Sequence, residues 1–403
     1  MSRFAIVSRI AHDGLETPAL AGERPWWDEL DPRFARGHER FALGALDRAK
    51  VTLTAGSDVV LRTLGAGLVG SLALPLGYHP LAIRAARRDR SFYGALAATG
   101  DAAQFFERPP RGEPLRFQTR RARMPWFRPD DGVVEDLRFE STFETVNPEY
   151  RSRYARHSAN RHVHARMFRH QHGPRALVIA IHGFSADLYH LNEWFFAIPW
   201  LYEEGYDVLL FTLPFHGARQ GPLSPFSGHG FFAGGAWRIN EAFAHAVWDL
   251  RRLVDHFLDH AGAPRVGATG VSLGGCTTAL LASAEERLAF AIPNVPVTSI
   301  ADLVLEWEPI GSAMRAMLAA GGISIQEARE MVAPSCALSW RAAIAKERLM
   351  IIGGVGDRLA PPKHSRVLWE HWGRPRLHWF PGSHLVHLDR GEYFREMRRF
   401  LRA

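Results

Sequence analysis

Apolar and polar positions follow two regimes along this chain, and the change comes near residue 130. Beyond it, short unbroken apolar runs alternate with segments of helical spacing. Positions 176–181 read ALVIAI and 207–213 read DVLLFTL. Runs with so little polar interruption predict strands buried on both faces. Segments 133–145 and 162–170 alternate in part and predict two earlier strands. Over 237–260 the residues Ala242, Ala246, Leu250, Leu253 and Phe257 share one helical face. A short strand at 266–271 runs into a glycine-rich turn and then a helical run at 276–283. Further buried strands are predicted at 288–292, 348–352 and 376–380, with a closing helix at 391–401. Strands alternating with helices imply an α/β fold: a mainly parallel sheet joined by right-handed crossovers.

Before residue 130 the pattern is helical, basic and broken by turns such as Pro109-Pro110 and Gly112. This predicts a helical N-terminal extension, 1–130, ahead of a domain spanning 131–403. Segment 59–78 is mostly apolar, but it holds Arg62, several glycines and Pro75, so it reads as a buried or interfacial helix pair and not as a membrane span. Residues 1–10 carry Arg3 and Arg9 with no long apolar run behind them, unlike a secretory leader. Two arginine clusters follow, Arg84, Arg87, Arg88 and Arg90, then Arg116, Arg120, Arg121 and Arg123. Each reads as a solvated face. Alternatively, with the apolar segment, they would form a peripheral contact with an anionic membrane.

Composition narrows the classes. At 47% hydrophobic and 23% charged over 403 residues, the chain can bury a sizeable core and is not a disordered tail. Cys276 and Cys336 cannot build a disulfide framework or a zinc site, and so few cysteines suit a reducing, cytoplasmic compartment. The net charge of +7 comes almost wholly from arginine, with lysine confined to Lys50, Lys346 and Lys363. Basic balance alone would permit a nucleic-acid partner, but no finger, basic zipper or RNP pattern accompanies it, so none is expected. His157, His162, His164, His170 and His172 lack acidic or cysteine companions and read as exposed strand histidines, with no metal.

The chemistry concentrates in four places. Gly270-Val271-Ser272-Leu273-Gly274 follows a predicted strand and precedes a helix, the setting of a nucleophile elbow. A turn this tight tolerates no side chain beside the serine and lifts its hydroxyl above the sheet; alone, the motif is a glycine turn with a solvated serine. A serine nucleophile needs a base, and the base an orienting acid. Asp357 lies in the Gly/Pro-rich loop 353–362 after a predicted strand, where by itself it would be only a turn residue. His384 follows the strand-end turn Pro381-Gly382-Ser383, with His387 as runner-up. Upstream, His182-Gly183-Phe184 ends a buried strand, so the backbone N–H groups of Phe184 and Leu273 are candidates for an oxyanion hole, each such donor being worth about 3 kcal/mol of barrier.

From about residue 175 onward, the order of the His182-Gly183 motif, the elbow, the Asp357 loop and the His384 loop resembles the α/β-hydrolase superfamily. The resemblance implies an eight-stranded, mostly parallel sheet flanked by helices, with Ser272, Asp357 and His384 as triad. Leu213-Pro-Phe-His-Gly-Ala-Arg219 and Phe231-Phe-Ala-Gly-Gly-Ala236 further resemble a poorly characterised branch with a long N-terminal extension and lipid-acyl substrates. The segment 301–341, rich in Leu and Met and carrying Trp307, reads as a helical cap insertion over the site or as a second-layer helix pair. Phe226, Phe231 and Phe232 of the 221–235 loop are candidates to wall the pocket or to fill under the cap. The expected function is a serine ester hydrolase acting on a small-molecule or lipid acyl ester without cofactor. A catalytically silent scaffold, or an acyltransferase, thioesterase or peptidase with the same triad, stays open, as does the oligomeric state.

Overall fold

The computed structural model describes residues 11–12, 20 and 22–402; the stretch 1–10, read above for a leader, lies outside the described residues. One nine-stranded sheet organises the molecule. Its strands are β1 (Gln118–Arg121), β2 (Gly132–Glu140), β3 (His162–His170), β4 (Ala176–Ile181), β5 (Tyr206–Phe211), β6 (Val266–Val271), β7 (Ala291–Asn294), β8 (Met350–Gly354) and β9 (Arg376–Phe380). Their order is β9-β8-β7-β6-β4-β5-β3-β2-β1. Pairing is parallel from β9 to β5 and antiparallel from β5 to β1. The strand beyond the expected eight is β1. Its residues QTRR are all exposed, and it is held by register with β2 from Gln118↔Arg138 to Arg121↔Glu135. An edge strand of this kind forms through backbone hydrogen bonds alone, so no apolar pattern announces it.

The continuous apolar runs are buried on both faces. Leu177, Ile179 and Ile181 of β4 point into one core, with Leu250, Leu253 and Phe257 of the helix Ala236–Asp259. Val178 and Ala180 point into the opposite core, with Met397 and Phe400 of the helix Arg390–Leu401. Burying each large aliphatic side chain contributes roughly 1.5–3 kcal/mol. Several boundaries shift by a few residues from the sequence reading. The strand expected at 288–292 is Ala291–Asn294, because its register is set by β6, where Ala268 faces Ala291 and Val271 faces Asn294.

Segment 59–78 corrects the expectation of a helix pair. It belongs to one 33-residue helix, α1 (Ala45–Gly77), which passes through its glycines unbroken. The break comes at His79, whose imidazole accepts from the Ala82 N–H to cap α2 (Pro80–Ala98). Proline at the first helical position disfavours helical backbone in the residue before it. Helix α1 buries Val51, Ala55 and Ala66 but turns most of its leucines outward. Lys50 and Asp58 on one face reach the protein, with Lys50 Nζ 3.0 Å from Asp389 Oδ1. Leu53 is 82% exposed and Leu64 67%. Among the described residues, no helix is long and apolar enough to cross a membrane.

The 301–341 segment begins with three helices, α3 (Ile300–Glu306), α4 (Ile310–Gly321) and α5 (Ile325–Met331). Helix α2 packs against α4 and α5. Arg329 forms a fully buried two-pronged pair with Asp302, Nε to Oδ2 at 2.9 Å and Nη2 to Oδ1 at 2.8 Å. Its remaining N–H groups donate to the carbonyls of Leu30 and Asp31. One guanidinium thus joins α3, α5 and the N-terminal segment. Part of the arginine cluster on α2 is also committed, since Arg87 and Arg90 both pair with Glu327.

Replacing Asp302 with Ala would leave Arg329 as an uncompensated buried charge, and a loss of about 3–5 kcal/mol of stability is expected in urea unfolding. A loss below about 1 kcal/mol would show that the clamp contributes little.

Candidate functional site

Strand β6 ends at Val271, and the helix Leu273–Ala284 begins two residues on. Ser272 between them has φ 57° and ψ −113°, a conformation that non-glycine residues adopt at a cost of roughly 1–3 kcal/mol. The flanking glycines permit it by steric necessity. A Cβ on Gly270 would lie 2.2 Å from the Gly274 carbonyl oxygen, and one on Gly274 would lie 2.0 Å from the Ile181 carbonyl oxygen. Ser272 stays half-buried while the residues around it are buried.

Asp357 and His384, on loops after β8 and β9, meet. His384 Nδ1 donates to Asp357 Oδ2 at 2.7 Å, and both side chains are buried. Asp357 Oδ1 accepts from the N–H groups of Leu359 at 2.9 Å and Ala360 at 2.8 Å, which fixes the carboxylate. Nδ1 being engaged, Nε2 is the nitrogen left to handle a proton. Burial opposes a charge on His384, but the Asp357 carboxylate, reinforced by Asp58, outweighs it and holds the imidazole above its ordinary pKa. His387 sits differently. Its Nε2 donates to the His384 carbonyl at 3.2 Å, its ring lies 4.1 Å from that of Phe380, and burial pushes its pKa down to about 3.

The two residues whose amides were named for an oxyanion hole, Phe184 and Leu273, line the same cavity as the serine. Leu273 is the first residue of its helix, so its N–H has no carbonyl partner one turn back within that helix. Phe184 follows Gly183, where a Cβ would lie 3.5 Å from Ser272 Cβ. Ser272, Leu273 and Phe184 line a cavity whose other walls include Phe232, Trp307 and Met314. The helices α3 and α4 therefore border the serine's cavity, and Phe232 supplies the aromatic wall. Cys276, one turn into the helix, is fully buried and its thiol pKa is pushed far up by burial, which removes it as a nucleophile.

One carboxylate at the site escaped sequence reasoning. Asp58 of α1 is fully buried, and its Oδ2 accepts from the His384 N–H at 2.8 Å and from the Arg358 N–H at 3.0 Å. A single side chain thus ties the loop of the acid to the loop of the imidazole. Arg62, one turn further, donates to the Arg358 carbonyl at 3.2 Å. The available signal was the four-residue spacing of Lys50, Thr54, Asp58 and Arg62, which places these polar residues along one face of the helix.

Residues 176–300 match the family model described as the alpha/beta hydrolase fold. Two solved structures share the architecture: an acetyl xylan esterase from a Thermoanaerobacterium species, at 16% identity and TM-score 0.52, covering 77% of this chain and 93% of that one, and another from a Paenibacillus species, at 13% identity and TM-score 0.53, covering 77% and 94%. The chain has the α/β-hydrolase fold. Its curated relatives include uncharacterised proteins from two strains of Mycobacterium tuberculosis, each 30% identical over 275 residues. The match covers 62% of this chain and 58% of each relative's length.

Asp58→Asn keeps the shape of the side chain and removes its charge. His384 is expected to titrate at lower pH in the variant, read from its imidazole Cε1–H resonance by NMR. An unchanged titration would separate Asp58 from the electrostatics of the pair.

Proposed function

We propose that the protein is a serine hydrolase of carboxylic esters, with Ser272 as nucleophile, His384 as general base and Asp357 as its orienting acid. The observation that carries this reading is the buried Asp357–His384 hydrogen bond at 2.7 Å, on loops at the same sheet edge as the strained Ser272 turn. Supporting it, the serine lines a cavity with apolar walls, suited to an acyl group. The proton of Ser272 Oγ passes to His384 Nε2 as Oγ attacks the ester carbonyl carbon. The tetrahedral oxyanion accepts from the N–H groups of Phe184 and Leu273. Collapse breaks the ester bond, and His384 returns the proton to the departing alcohol. Water then attacks the acyl-enzyme, giving its proton to His384, and the carboxylic acid leaves with Ser272 restored.

Ser272→Ala is expected to abolish fluorophosphonate labelling and to lower ester turnover on the order of 10⁴-fold or more. Full labelling of the variant would move the nucleophile elsewhere. Because the imidazole must be neutral to accept the serine proton, kcat/KM is expected to fall as pH drops through the pKa of His384. Its raised value puts that acidic limb above the pH of an ordinary histidine.

A peripheral contact with an anionic lipid surface is part of this reading, and the exposed leucines of α1 support it. Leu46, Leu53, Val60 and Leu64 are exposed along that helix, and Arg84 and Arg88 are exposed on α2. Apolar insertion beside basic residues is what such a surface rewards. Vesicles containing anionic lipid should co-sediment the protein, and Leu53→Ser with Leu64→Ser should weaken this, as should salt. Equal behaviour with neutral and anionic vesicles would remove the contact.

A further inference from the structure

Beyond the cavity at Ser272 lies a second apolar chamber, and the two share the walls Tyr78, Ile300, Val304 and Met314. The far chamber is bounded by Ile83 and Ala86 of α2, Ala236 and Ile239 of the helix Ala236–Asp259, and Ala328 and Met331 of α5. Three of these six are alanines, whose short side chains leave the space between the helices unfilled. Among the described residues, no charged side chain lines either chamber.

Tyr78 stands where the chambers meet. Its hydroxyl donates to the Phe232 carbonyl at 2.9 Å, which commits its polar atom and leaves the ring facing the apolar space. The end of α1 is pressed into place beside it: a Cβ on Gly77 would lie 2.5 Å from the Gly235 amide nitrogen. The partition between the chambers is therefore the Tyr78 ring, Ile300, Val304 and the flexible Met314, a side chain that repacks readily.

We infer that the acyl subsite continues past Tyr78 and Met314 into the chamber walled by α2, so that the preferred substrates are esters of medium- to long-chain unbranched fatty acids. The inference rests on the ester-hydrolase reading and names its substrate class. The chemistry of the walls carries the choice. A sugar, peptide or phosphate group would bury polar atoms among Ile, Ala and Met with nothing to bond, whereas a methylene chain loses nothing there. Part of the channel comes from the N-terminal helices: without α2 and the end of α1, this chamber would open to solvent.

The test compares p-nitrophenyl esters from acetate to palmitate in the wild type, Ala86→Phe and Ala328→Phe, two fillings of the far chamber from opposite walls, with thermal melting to establish folding. In the wild type, kcat/KM should rise by up to about fourfold per buried methylene through the medium-chain esters. In either filled variant, the ratio of decanoate to butyrate kcat/KM should fall at least tenfold. A parallel arm measures binding of the fluorescent 18-carbon acid parinarate to Ser272→Ala, and Ala86→Phe in that background should weaken it at least tenfold. Short esters turned over with an unchanged chain-length profile in folded filled variants would overturn the inference and leave the hydrolase reading standing. Parinarate binding that Ala86→Phe weakens, in a protein whose wild type cleaves no ester of any length, would support the chamber and overturn the hydrolase reading.

Discussion

The close approach of the helix Leu273–Ala284 to the end of β4 is the constraint on which the site depends. At Gly274 there is no room for even one carbon between the helix and the Ile181 carbonyl, and at Gly270 none between strand and helix. That contact forces the chain to reverse within a residue, and Ser272 takes the strained conformation that results. It also brings the start of the helix, with its outward-pointing amides and positive dipole end, against the loop that carries Phe184. The strain persists because strands buried on both faces hold either side of the turn rigid.

A second layer of constraint comes from polar groups that the N-terminal region sends inward. Asp58 accepts from two loop amides, Lys50 pairs with Asp389, and Arg329 reaches out to the carbonyls of Leu30 and Asp31. Buried charges are costly unless paired, so the contacts of the fully buried Asp58 and Arg329 specify one docking geometry more than they add net stability. Helix α1 can turn its leucines outward because its position is set by the partners of Lys50, Asp58 and Arg62 together with the burial of Val51, Ala55 and Ala66. It also links the wall of the second apolar chamber, at Gly77, to the loops of Asp357 and His384, at Asp58.

The electrostatics of the site follow from burial and neighbours acting in opposite directions. Desolvation alone would keep His384 neutral, as it does His387, three residues away and facing aromatic rings. The facing carboxylate of Asp357 and the nearby one of Asp58 reverse that for His384. Two histidines in one short loop thereby differ in charge behaviour through contacts made by other parts of the chain.

The strands β4 to β9, the elbow and the two loop residues were legible in the sequence because each rests on a local rule. A strand buried on both faces must be apolar throughout, a turn this tight must be glycine-flanked, and Asp357 and His384 each stand just past the end of a predicted strand. The chain's own residues thus determined the α/β class and the candidate site residues Ser272, Asp357, His384, Phe184 and Leu273. Tertiary structure decided what has no local signature. The edge strand Gln118–Arg121 forms from backbone hydrogen bonds under polar side chains. Helix α1 runs as one piece with its leucines outward because its polar anchors lie some 300 residues away in the chain, at Arg358, His384 and Asp389. Asp58 gains its place beside His384, and Ala86 its place in a cavity wall, only through packing between segments distant in sequence, which no pattern of neighbouring residues encodes.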